Sequence, residues 1–93
     1  MRKAVNVDGN ITEIAPAGED VEGISRNISN VIVKNMGTQV VYLQWTNESD
    51  ALTIGNGFPL ASGDAVGISR SWGGAPITGI TAGTTEAVRV SGD

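Results

Sequence analysis

Apolar side chains recur at every second position in several short runs of this chain, and no window of eleven or more residues carries a 3.6-residue apolar period. That spacing predicts strands and no helix. The sharpest alternation is NISNVIVKN (27–35), where Val31 and Val33 face one way and Ile32 and Lys34 the other. After the turn MGT (36–38), QVVYLQW (39–45) puts Val41, Leu43 and Trp45 on one face and Val40, Tyr42 and Gln44 on the other. The two runs predict an antiparallel hairpin whose Gly37 is free to take a positive φ. Apolar groups on both faces predict a central position in a sheet. LTIGNGFPL (52–60) holds a short strand interrupted at Gly55 and Gly57. ASGD (61–64) is a turn and AVGIS (65–69) a strand. SWGGAP (71–76) reads as a loop, ITGITA (77–82) as a strand and GTT (83–85) as a turn. EAVRVS (86–91) closes the pattern with Val88 and Val90 inward, Arg89 and Ser91 outward.

Residues 1–24 differ. AVNVDGN alternates weakly, IAPAGEDVEG adds Pro16, two glycines and several carboxylates, and few large side chains are available as anchors. This segment is expected to be an extended N-terminal arm with one short strand at 10–14. Its Val5, Val7, Ile11 and Ile14 would then be free to contact another chain. Residues 25–93 would form the body. The expected fold is all-β: a small antiparallel β-sandwich or barrel of six to seven strands, with turns every 8–12 residues. GISR occurs at 23–26 and again at 67–70, each followed by a GT. A duplicated sheet would produce this. So would chance recurrence of a glycine turn before a strand, which the unequal gaps favour.

The stretch GFPLASGDAV (57–66) raises its own question, because it holds the chain's one phenylalanine beside a proline. Pro59 keeps Phe58 extended. Phe58 and Leu60 then share a side, and the ring is expected to plug one end of the core, contributing roughly 1.5–3 kcal/mol.

Composition sharpens the fold and narrows the chemistry. Ile and Val number nineteen against three Leu, with eight Thr and 13 Gly among 93 residues, a bias toward strands and tight connections. The net charge is −4 and the six basic residues are scattered, so the basic stripe that nucleic-acid binding requires is missing. There is no apolar run of 18 residues to cross a membrane, and MRKAVNVDGN lacks the apolar core of a secretory signal. Without Cys there are no disulfides, which fits synthesis in a reducing cytoplasm.

Without His or Cys, a nucleophilic triad has no ordinary base, and zinc or copper no ordinary ligands. Lys34 alternates with Ile32 on a strand and reads as a solvated lysine. Glu48 and Asp50, two apart in NESD, could serve glycoside cleavage or hold Ca²⁺ weakly. A core this small builds no cleft for the first, the spacing matches no calcium loop, and an exposed polar turn accounts for both. No catalytic residue, metal site or cofactor is therefore expected. Trp72, preceded by Arg70 and followed by two glycines, reads either as a contact pair or as a lid over the sandwich end.

The order VIVKNMGTQVVYLQW … GNGFPLASGDAVGIS … ITAGTTEAVRV, over about residues 28–91, resembles a pattern recurring in small β-rich bacteriophage virion proteins. The resemblance implies a non-enzymatic structural protein of the phage particle. In its most concrete form this is a capsid decoration (cement) protein that docks on the major capsid protein lattice at the capsid exterior, as a homo-oligomer with a trimer favoured. The arm and SWGGAP depart from the pattern. The alternative is a carbohydrate-binding or host-attachment module of a tail or head fibre, with Tyr42 and Trp72 as stacking platforms.

Overall fold

Alternation along the chain becomes alternation of burial. In β3 (Asn30–Asn35) Val31, Val33 and Asn35 are buried while Asn30, Ile32 and Lys34 are exposed. The same period runs through β4 (Val41–Gln44), β7 (Ile77–Ile80) and β8 (Glu86–Gly92), and β1 (Arg2–Val7), β2 (Thr12–Ala15), β5 (Phe58–Leu60) and β6 (Ala65–Ser69) complete the set. The computed structural model describes residues 2–15, 30–45, 51–69 and 76–92, and among these there is no helix.

The eight strands form two four-stranded sheets, β1-β8-β3-β6 and β2-β7-β4-β5, in which every pairing is antiparallel. The pairs β1·β8, β2·β7, β3·β6 and β4·β5 are nested: the first half of the chain pairs with the second half in reverse order. All connections except β4–β5 change sheet. A long antiparallel ribbon wrapped over itself in this way is the eight-stranded jelly roll. The strand count is thus eight, where six to seven were expected.

All eight strands feed one core. Val7, Ile14, Val31, Val33, Val41, Leu43, Leu60, Ile68, Ile77, Val88 and Val90 meet between the sheets, with Ala15. Gly79 makes room for this layer, because a Cβ there would lie 2.7 Å from Cδ1 of the buried Ile14.

Four expectations are corrected. The 27–35 and 39–45 runs are both central strands, but they do not pair: β3 and β4 lie in different sheets, and residues 36–40 cross between them. Alternation fixes which face of a strand is apolar; it does not fix the partner. The described part of the supposed arm is two strands of the sandwich. β1 pairs with β8 and β2 with β7, and Val7, Ile14 and Ala15 are fully buried. Residues 16–24 lie outside the described residues. Phe58 is 44% exposed instead of buried. Its strand is the edge of its sheet, and its ring lies edge-on to Trp45, centroids 5.4 Å apart. Leu60 alone enters the core. The positive φ sits at Gly63 (81°) and Gly83 (114°), not at Gly37. Asp64 N–H donates to Ala61 O at 3.0 Å, so Gly63 holds the third position of a turn that demands that angle.

Two outcomes follow from this packing. Deletion of residues 2–15 should abolish cooperative thermal unfolding followed by circular dichroism, since it removes one strand from each sheet. A truncated chain melting near the full-length temperature would show that the body folds without them. Leu43→Ala should cost about 2–5 kcal/mol. Phe58→Ala should cost only about 1 kcal/mol, the scale of one aromatic pair. Denaturant melts that reverse this order would place the Phe58 ring in the core.

Candidate interaction surface

The antiparallel alternation brings four crossovers, 8–11, 36–40, 61–64 and 81–85, to one end of the sandwich, where hydrogen bonds join them. Crossing from sheet to sheet interrupts the ladder and leaves backbone groups without strand partners. Two buried polar side chains take them up. Asn35 continues the inward row of Val31 and Val33, and Glu86 the inward row of Val88 and Val90. Asn35 Oδ1 accepts from Gly37 N–H at 2.9 Å. Its Nδ2 donates to Gln39 O at 2.8 Å and to Leu60 O at 2.9 Å. Glu86 Oε1 accepts from Thr38 N–H at 2.7 Å and Gln39 N–H at 3.3 Å. Gly37 is required for proximity, not for its backbone angle: a Cβ there would lie 2.1 Å from that oxygen.

The hydrogen bond from the Thr84 side chain, together with those from Thr38 and Gln39 N–H, holds the Glu86 carboxyl below its ordinary value against the opposing effect of burial. The ordinary carboxylate chemistry of a buried Glu is thus spent on the backbone of a crossover. Beside this cluster, Gln39, Val40, Tyr42, Ala82 and Thr84 line a shallow depression of about 130 Å³ that holds no charged side chain. Among the described residues no group of His, Cys, Asp or Glu is placed to hold a metal ion. Among the same residues no helix is long and apolar enough to cross a membrane.

What remains with chemical character is a sheet face. On the outer side of β1-β8-β3-β6, register aligns Ala4, Arg89, Lys34 and Ala65 in one row across all four strands. The adjacent row sets Ile32 between Ser91 and Gly67. Ile32 is 54% exposed, and open space surrounds Gly67 on that side. Lys34 and Arg89 stand directly opposite one another, a like-charge pairing that destabilises a sheet. The described carboxylates lie elsewhere: Asp8 and Asp64 in crossovers, Glu13 in the other sheet, Glu86 inside. The described part of this face therefore carries two cations and an apolar knob on a chain of net charge −4.

The residues expected to contact a partner are not gathered in one place. Val7 and Ile14 are buried in the core, and Val5 packs against it. Only Ile11, 49% exposed, stands free, in the β1–β2 crossover. Arg70 and Trp72 lie outside the described residues, as do Glu48 and Asp50. Tyr42 is half-buried on β4. Sequence reasoning passed over Ile32 and Arg89 as ordinary outward residues. Register, which alone makes Arg89 the neighbour of Lys34, is the missing signal. It passed over Glu86 as well, although a carboxylate in phase with Val88 and Val90 was visible. No protein-family model, curated protein or solved structure matches the chain.

The depressed Glu86 acidity fixes a pH dependence. A carboxyl whose folded value lies below its unfolded one adds stability above the unfolded value, and this is lost as pH falls through the folded value. The melting temperature should therefore drop on acidification below about 4.5, the ordinary value. Glu86→Gln should lower the neutral-pH melting temperature and flatten that acid dependence. An unchanged acid slope in the variant would assign the dependence to other carboxylates.

Proposed function

We propose that the chain is a non-enzymatic structural protein of a bacteriophage virion, and specifically a capsid decoration protein that docks on the major capsid protein lattice. The observation that carries this reading is the jelly-roll strand order, an architecture shared by viral capsid domains. Fold alone does not assign function. The resemblance of residues 28–91 to small virion proteins supplies the second, independent support. A face of small residues with one exposed Ile and a Lys34–Arg89 couple that no described carboxylate neutralises suits docking on a broad carboxylate-bearing surface. Jelly rolls also serve as lectins. A sugar platform wants coplanar exposed rings, whereas Trp45 and Phe58 stand at 62° to each other.

The test is co-sedimentation of the chain with purified capsids of the phage that encodes it, followed by electron cryo-microscopy of the pellet. Regular density at lattice positions on the capsid exterior is expected. Reversing both cations, Lys34→Glu with Arg89→Glu, should release the chain without loss of its cooperative melt. Capsids that show no added density and leave the chain in the supernatant overturn the proposal.

A further inference from the structure

Each sheet of the sandwich ends in two edge strands, and an open edge invites pairing with another chain. Three of the four edges carry a guard. β1 carries the charged Lys3. β2 carries Glu13 and a register shift between Glu13 and Ala15. β5 contains Pro59, which has no N–H to offer. β6, with the sequence AVGIS, has no charge, no proline and no register shift against β3.

The direction of its free groups can be read from the neighbouring strand. Asn35 N–H donates to Asp64 O at 2.9 Å, and Gly63 N–H donates to Asn35 O at 2.9 Å, whereas Met36 N–H donates to Ala87 O on the other side. Alternation then turns the odd residues of β3 toward β6, so Val31 and Val33 bond Ile68 and Val66. The backbone N–H and C=O groups of Ala65, Gly67 and Ser69 consequently point away from β3, and no described residue pairs with them.

We propose that two copies of this chain join antiparallel through these β6 edges, with Gly67 on the two-fold axis, to make one continuous eight-stranded sheet. The segment is self-complementary in that register. Gly67 meets Gly67 of the second copy, where the absence of side chains allows the closest approach. Val66 lies opposite the second copy's Ile68 on the core side, and small Ala65 opposite small Ser69 on the outer side. The nearest described cation, Lys34, sits one strand inside the edge, so the two copies keep their charges roughly 14 Å apart across the sheet and staggered by four residues along it, beyond the screening length at physiological salt. This two-fold contact is independent of the virion reading, and it gives a dimer in place of the trimer that the resemblance implies. It would also double the outer face that carries Ile32, Lys34 and Arg89.

Sedimentation equilibrium of the full chain across a concentration series tests the contact. The mass should rise from monomer toward dimer. Ala65→Lys/Ser69→Lys places like charges opposite each other twice across the axis and should weaken the dimer roughly tenfold. Ala65→Lys/Ser69→Glu should restore it, because each lysine then faces a carboxylate of the other copy. The two variants differ only at position 69, and circular dichroism verifies that both are folded. Should either fail to fold, Gly67→Pro, which removes one outward N–H, serves in its place and is expected to be monomeric. A wild-type chain that stays monomeric at every concentration, a trimer, or a dimer indifferent to the charge pattern at 65 and 69 overturns the proposal.

Discussion

A sandwich whose chain changes sheet at nearly every turn must solve one problem repeatedly: the backbone loses its ladder partners where it crosses. In this protein Asn35 and Glu86 solve it for the central crossover. Asn35 is bonded through its side chain to both sides of the 36–40 segment and to Leu60 at the end of β5, and through its own backbone to the 61–64 turn. Glu86, the first residue of β8, accepts from two N–H groups of the same segment. The two residues thereby fix how one sheet lies on the other at that end, and the apolar layer needs that fixed geometry to interlock. Both groups are buried with their polar atoms engaged, the condition under which burying them does not become a liability.

Much of the fold is legible along the chain. The inward rows of β3, β4 and β8 follow from alternation, and β6 was expected at 65–69, where it is found. The ASGD turn was legible from its glycine. What alternation cannot carry is pairing, which resides in contacts between residues far apart in sequence. The 36–40 segment looks like a hairpin turn locally. It becomes a crossover because β6 and β8 occupy both sides of β3, and Glu86, 48 residues from Thr38, bonds the crossing segment. The arm was misread for a related reason. Val5 and Val7 are two small apolar residues among polar ones, weak evidence until β8 lies beside them.

For the candidate site the sequence supplies mainly the residue types it lacks. The chain has neither His nor Cys, and the one acid among the described residues with a lowered pKa, Glu86, is committed to holding a loop. A perturbed carboxyl is often a pointer to a functional site. Here its hydrogen-bond partners are the Thr84 side chain and the backbone N–H groups of Thr38 and Gln39, all in its own domain, which makes it a structural device. The surface that does carry unspent interactions is the outer face of β1-β8-β3-β6. Its like-charge couple lowers stability within the chain, and a docked acidic surface would reverse that cost.

The place of β8 in its sheet has a consequence for the birth of the fold. This strand lies between β1 and β3, so the sheet is cut in two until residues 86–92 are present. A chain leaving the ribosome exposes β1 and β3, with their rows of valine, well before the strand that joins them has been synthesised. Domains that complete themselves from the amino end can fold as they emerge. This one cannot join β1 to β3 before residues 86–92 have emerged, so the valine rows of both strands stay unpaired across that gap until then.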